Sequence, residues 1–181
     1  RDAQESRGLG DVYKRQEIER KWLIEYPSVD MMKNMTDYDY SEIEQTYTNY
    51  MEHSVYGRIR KRGKKGNYKF YKTFKKKITN LTRVEYEDEI TEEEYNKIMK
   101  HKREGFNTIN KVRHTFIYEG LKYEIDVFPF WNDRAFMECE VNSEDAKIPI
   151  PPCVKVIKEV TDDSRYTNSN LAQKIITEDL N

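Results

Sequence analysis

Charged residues recur in this chain at alternate positions, and their signs are sorted. Acidic pairs stand at Glu17/Glu19, Glu124/Asp126 and Glu138/Glu140, and basic pairs at Arg58/Arg60 and Lys111/Arg113. In an extended strand, residues two apart share a face, so each pair projects from one side of its strand. A face that is merely wet usually intersperses its signs. Arginine forks and lysine ammonium groups complement a polyvalent anion such as a triphosphate. Carboxylates repel the bare anion, so both sets suit one ligand only with divalent cations between them. Hard oxygen donors point to magnesium or manganese rather than zinc. The three histidines (His53, His101, His114) have no ligand-like spacing and read as structural.

The elements that would hold these pairs are short and alternating. Eight strands are predicted at 17–24, 41–50, 54–62, 67–78, 82–90, 107–118, 121–128 and 134–142. Gly63, Gly66 and Asn67 mark one hairpin, and Glu119-Gly120 marks another. Thr91 followed by Glu92, Glu93 and Glu94 predicts a capped helix over 92–103. A second helix is predicted over 168–178 and a short one over 28–36, with an extended proline connector at 147–153.

Composition supports this class. Of 181 residues, Ile and Val number 25 while Ala and Leu number 10, a balance that favours strands over a helical bundle. Charged residues reach 36%, yet the net charge is −1 and aromatics make up 13%, enough apolar surface for a folded core. The predicted fold is mainly β with peripheral helices (α+β). Its eight antiparallel strands close into a barrel, which removes exposed edges. Parity then places Glu17, Glu19, Arg58, Arg60, Lys111, Arg113, Glu138 and Glu140 around one lumen. Ile18, Trp22, Ile59, Val112, Ile125 and Val141 face outward. Residues 1–16 show neither period and are expected to be a disordered tail; the run DVYKRQ resembles translated adapter sequence, foreign to the native chain. Residues 17–181 are expected to form one domain.

EIERK at 17–21 resembles the ExExK signature of the CYTH, or triphosphate tunnel metalloenzyme, superfamily. The likeness continues in order through VYGRIRKR, NYKFYKTFKKK, RVEYE, INKVR, YEIDVF, MECEV and EVTDDSRY, over about residues 17–176. It implies an eight-stranded antiparallel tunnel that binds a triphosphate with a divalent metal, magnesium or manganese. By position it implies metal ligands at Glu17, Glu19, Glu138 and Glu140, with Asp126 as a further one. It implies phosphate contacts at Lys21, Arg58, Arg60, Lys75, Lys111 and Arg113. Arg83, Glu85 and Glu87 match an R-x-E-x-E strand: Arg83 is expected on substrate, the two glutamates at a second metal or the attacking water. Lys21 is expected to share the catalytic role. Glu159, Asp162, Arg165 and Tyr166 match a C-terminal motif that could simply order the closing helix. Arg62 shares the parity of Arg60 but lies at a strand end and reads as solvated surface.

The expected activity is metal-dependent hydrolysis of a triphosphate, inorganic or organic. A class IV-type adenylate cyclase shares the same site and is the alternative; no base-recognition motif is visible, which favours hydrolysis. A single-stranded nucleic-acid module is a more distant alternative. Residues 55–79 carry 11 Lys or Arg and no acid, interleaved with aromatics. Seven acids at 84–94 and a pI of about 6.4 oppose it. No apolar run is long enough to span a membrane, and no signal peptide is visible. Two cysteines form no disulfide framework, so a reducing cytoplasm is expected.

Overall fold

In the computed structural model, residues 18–78 and 83–180 are described. One antiparallel sheet runs through them: β1 (Ile18–Glu25), β2 (Thr36–Glu52), β3 (Val55–Lys64), β4 (Asn67–Lys77), β5 (Arg83–Ile90), β6 (Ile109–Tyr118), β7 (Leu121–Val127), β8 (Arg134–Val141) and β9 (Val156–Glu159). Three helices accompany it: α1 (Val29–Lys33), α2 (Glu92–Met99) and α3 (Asn168–Gln173). Their N-caps are Ser28, Thr91 and Thr167, each accepting a backbone N–H of the first turn. The expected tail at 1–16 lies outside the described residues.

Strand order is β5-β4-β3-β2-β6-β7-β8-β1-β9. The predicted eight-stranded barrel is therefore corrected to a nine-stranded open sheet, bordered by β5 and β9. Hydrogen bonding at β1 accounts for this. The edge a closing strand would need is occupied: β9 pairs with Trp22, Leu23 and Ile24. Lys155 O accepts from Glu25 N, and Val160 N donates to Lys21 O. The sheet nonetheless curls strongly. Lys75 of β4 and Glu19 of β1 stand six places apart along it, about 29 Å if it were flat at ~4.8 Å per strand. Yet the Lys75 charge acts on the Glu19 carboxyl.

Both faces of the sheet are used. On the outer face Trp22, Ile24, Phe116, Tyr123, Ile125, Met137 and Cys139 pack with Met32 of α1 and Cys153 of the proline connector. Ile59 packs there against Tyr95 and Ile98 of α2. At one end of the inner face, Leu23, Ile109, Phe128 and Phe136 are sealed by Val160, Tyr166, Leu171, Ala172 and Ile176. The C-terminal segment thus plugs one end of the concave face and leaves its centre polar. Glu119 and Gly120 take left-handed φ values of 48° and 76°, the geometry of a two-residue hairpin loop between β6 and β7.

Candidate anion-binding site

The registers of neighbouring strands carry one parity across the whole sheet. Glu19 faces Glu140 and Lys21 faces Glu138. Glu138 faces Glu124, and Asp126 faces Arg113. Lys111 faces Ile43, Gln45 faces Arg60, and Tyr47 faces Arg58. Arg58 faces Thr73, Thr73 faces Glu87, and Lys75 faces Glu85. All of these lie on the concave face. The expected outward residues lie on the other: Trp22, Ile59, Ile125 and Val141 are buried there, and Ile18 and Val112 are half-buried.

Arg58, Arg60 and Arg62 form a row on the inner side of β3. Arg60 is buried and donates through Nε and Nη2 to Gln45 Oε1 at 3.2 and 2.9 Å. Gln45 Nε2 in turn donates to the Tyr47 hydroxyl at 2.9 Å. Burial, with the charges of Arg58 and Arg113 close by, pushes the Arg60 guanidinium down to about 10. The Nε of Arg58 is buried and has no hydrogen-bond partner among the described residues. Arg20, Arg113, Arg134 and Arg165 are each paired to a carboxylate. Among the described residues, none of the three row arginines makes an ion pair within 4.0 Å. Positive charge concentrated without a direct ion-pair partner favours an anion.

Lys111 and Arg113 are held differently. Lys111 Nζ lies 2.7 Å from Asp126 Oδ2, and Arg113 donates from Nε and Nη2 to both Asp126 oxygens at 2.8 and 2.9 Å. Burial alone would raise the Asp126 carboxyl; the two cations overcome it and hold it well below the usual carboxylate range. Both Asp126 oxygens are therefore engaged by protein cations. Arg113 also lies 3.4 Å from Glu124.

Acid gathers on β1 and β8. Glu138 is buried, and Lys21 Nζ stands 4.0 Å from its Oε1. The same ammonium donates to the Tyr166 carbonyl at 2.7 Å and sits 4.0 Å from the Phe136 ring centroid. Glu19 opens to solvent but is flanked by protein. Desolvation first, then the charge and hydrogen bond of Glu138, push its carboxyl up to about 8, against Lys75 and Lys21. Two glutamates crowded this way repel one another, and their hard oxygen atoms are of the type that a divalent cation takes. Glu140 lies one pairing step further along β8. Glu17, the remaining expected ligand, lies outside the described residues. Among the described residues, no three His, Cys, Asp or Glu side chains converge closely enough to hold a metal ion by themselves.

On β4 and β5, Lys75 lies 3.3 Å from Glu85, and burial, with Arg58 close by, lowers its ammonium. Thr73 Oγ1 donates to Glu87 at 2.9 Å. Arg83 belongs to β5, but its side chain lies outside the described residues. Gln45, Thr73 and the Tyr166 carbonyl join the site without a signal in the charge pattern. The first two carry the inward parity that identified their neighbours, whereas a backbone acceptor leaves no trace in residue type.

Other charged residues serve the scaffold. Glu159 pairs with Arg20 at 2.8 Å, and Arg165 pairs with Asp163 and Asp179. On the basic hairpin, Lys64 pairs with Asp39, Lys69 with Glu89 and Lys72 with Glu52. His53 stacks on Tyr86 with centroids 3.7 Å apart, and His114 bonds the Tyr38 hydroxyl at 2.8 Å.

A curled antiparallel sheet with a row of arginines free of ion pairs among the described residues, set against carboxylate-bearing strands, has the charge layout that suits a polyanion. The sequence profile of the CYTH domain matches residues 15–149, and the chain belongs to that family. An inorganic triphosphatase of Acetivibrio thermocellus is 38% identical over 108 residues, 59% of this chain and 67% of its own length. The crystal structure of an inorganic triphosphatase superposes with a TM-score of 0.58 at 28% identity, covering 89% of this chain and 97% of that one. A second crystal structure of that same protein, described there as hypothetical, superposes with a TM-score of 0.59 at 29% identity, covering 88% and 99%.

Proposed function

We propose that this chain hydrolyses a triphosphate, inorganic triphosphate first, with the help of magnesium or manganese. The observation that carries this reading is the unpaired arginine row, with its orphaned Arg58 Nε, facing the crowded Glu19–Glu138 pair across the concave face. Arg58 and Arg60 grip phosphate oxygens, joined by Lys75, Lys111 and Arg113 and, by position, Arg83. Asp126 acts as a positioning residue that fixes Lys111 and Arg113; its engaged oxygens fit this better than metal ligation. Glu19, Glu138 and Glu140, with Glu17, would hold the divalent cation. When bound, that cation neutralises phosphate charge and lowers the pKa of a bound water.

The remaining groups prepare the reaction. Lys21 is fixed between Glu138, the Tyr166 carbonyl and the Phe136 ring, so its charge is placed before substrate arrives. Glu87, anchored by Thr73, and Glu85, beside Lys75, are suited to orient the attacking water or a second cation. The C-terminal plug keeps water from one end of the site.

The 17–181 region acts as one domain in this reading, in a reducing cytoplasm; both cysteines are free, and no helix among the described residues is long and apolar enough to cross a membrane. Cyclase activity is second to hydrolysis, because the name carried by the 38% identical relative is that of a triphosphatase. Nucleic-acid binding falls further behind, since acids on flanking strands pair with Lys64, Lys69 and Lys72 of the basic hairpin. The test is product analysis of purified protein with triphosphate or ATP, with and without Mg²⁺ or Mn²⁺. Orthophosphate without cyclic AMP supports the reading; cyclic AMP with pyrophosphate would replace it with the cyclase.

A further inference from the structure

Three hydrogen bonds tie Lys21 to one C-terminal segment. Val160 N donates to the Lys21 carbonyl at 2.8 Å, and the Lys21 N–H donates to Thr161 Oγ1 at 3.0 Å. Its Nζ donates to the Tyr166 carbonyl at 2.7 Å. The first two fix the backbone of Lys21; the third fixes its charge. All three partners lie beyond residue 149, where the match to the CYTH profile ends. Tyr166 is itself held from further along the chain. It is fully buried, and its ring stands edge-on to Phe136 at a centroid distance of 5.8 Å. The same Phe136 ring lies 4.0 Å from Lys21 Nζ. The Tyr166 hydroxyl donates to Asp179 Oδ2 at 2.8 Å. That oxygen also meets Arg165 Nη2 at 2.8 Å and Lys158 Nζ at 3.3 Å. Trp131 Nε1 and Arg134 Nη2 hold the carbonyls of Ile176 and Thr177, each at 2.7 Å, so the tail reaches Asp179 along a fixed path. Asp179 takes a left-handed φ of 76°, a conformation that asparagine and glycine also accept.

We propose that Asp179 is a positioning residue for Lys21. Through the Tyr166 hydroxyl it sets where the Tyr166 carbonyl and the Phe136 ring hold the ammonium, so the C-terminal tail tunes the reaction besides plugging the site. This rests on the triphosphatase reading, in which Lys21 places its charge before substrate arrives. Without the anchor, the Tyr166 carbonyl shifts. Lys21 Nζ, already 4.0 Å from Glu138 Oε1, then closes onto that carboxylate. A misplacement of about 1 Å costs up to ~100-fold in rate.

The test is steady-state hydrolysis of inorganic triphosphate by the whole chain with Mg²⁺, for Asp179→Gly and Asp179→Asn in wild-type and Lys21→Ala backgrounds. Asp179→Gly keeps the left-handed turn and removes the carboxylate. Its kcat should fall about tenfold with KM within about twofold, because Arg58 and Arg60 still hold phosphate. Asp179→Asn keeps an oxygen for the Tyr166 hydroxyl and should recover part of the loss. In the Lys21→Ala background, Asp179→Gly should change kcat by less than about twofold, since no ammonium is left to misplace. A merely structural anchor would cost the same in both backgrounds. A second measurement needs no turnover: the ε-carbon NMR signal of Lys21, assigned by its absence from Lys21→Ala, should move in Asp179→Gly. Circular dichroism checks that each variant is folded. An unmoved Lys21 signal, an unchanged kcat in Asp179→Gly, or an equal loss in both backgrounds overturns the proposal while leaving triphosphate hydrolysis standing. No hydrolysis of triphosphate by wild type removes the underlying reading, and this inference with it.

Discussion

Lys111 Nζ lies 2.7 Å from Asp126 Oδ2, and both side chains are shut away from solvent. Arg113 completes the cluster from the same strand as Lys111. Removing the shared anion leaves two cations confronting each other in a poorly hydrated place. Asp126→Asn is therefore expected to destabilise the fold by about 3–5 kcal/mol. Urea denaturation of wild type and variant measures this; a loss below ~1 kcal/mol would show that the cluster is not buried as described. The sign with pH also follows. The folded Asp126 carboxyl is depressed, so its contribution is present above the unfolded value of about 3.9 and is lost as pH falls through the folded one. Wild type should lose stability on acidification below ~pH 4 more steeply than Asp126→Asn.

Glu19 titrates in the opposite sense. Its folded carboxyl is raised to about 8, above the unfolded value of about 4.3. Its contribution is therefore complete at acid pH and is lost as pH rises toward 8. With chelator present, the thermal midpoint should decline from pH 5 to pH 8.5, and Glu19→Gln should flatten that decline. Adding Mg²⁺ at pH 7 should release about one proton, detectable by calorimetry in buffers of different ionisation enthalpy. Proton release unchanged in Glu19→Gln would remove this glutamate from the cation site.

Gly57 backs onto Phe74 so closely that an added Cβ would lie 2.2 Å from the ring. Gly57→Ala should cost about 1–3 kcal/mol through overpacking. Combined with Phe74→Leu, the loss should be smaller than the sum of the two single losses, because the smaller side chain makes room. Strict additivity in a double-mutant cycle would contradict the packing.

The two halves of the proposed site should fail differently. Arg58→Ala should weaken triphosphate affinity about 10- to 150-fold, the equivalent of ~1.5–3 kcal/mol, with recovery at high substrate. Glu138→Gln should instead be rescued in part by added Mg²⁺ or Mn²⁺. Titrating substrate and metal separately against each variant distinguishes the two. Rescue of Arg58→Ala by metal alone would contradict its assignment to phosphate.

The inward residues were legible because strand parity is set by the backbone: once Arg58, Lys111 and Glu138 lie in strands, their neighbours two apart share their face. Closure was not legible in the same way. It depends on which strand edge is left unbonded, and β9 is only four residues long, with no alternating pattern to reveal that it occupies β1. The start of β2 was missed for a related reason. The sequence predicts helix up to residue 36 and a connection from there to 40, while Asp37 takes a left-handed φ of 52° where the pairing with β6 shifts register. The helix expected over 168–178 stops at Gln173, yet Ile176 is still buried and its carbonyl accepts from Trp131 Nε1 at 2.7 Å. An apolar stripe reports burial without reporting the backbone that delivers it. Asp126 shows the same limit: parity turns it inward, but whether a cation from the protein or from solvent meets it depends on Lys111 and Arg113 in three dimensions.

The central claim is that the arginine row and the Glu19–Glu138 pair together hydrolyse a triphosphate. Orthophosphate release from inorganic triphosphate, with Mg²⁺ or Mn²⁺ and then with chelator, tests it directly in wild type and Glu138→Gln. Metal-dependent release that chelation abolishes and Glu138→Gln reduces by at least tenfold is the predicted result. Release that proceeds equally with chelator and in Glu138→Gln, or no release from wild type with either metal, would contradict it.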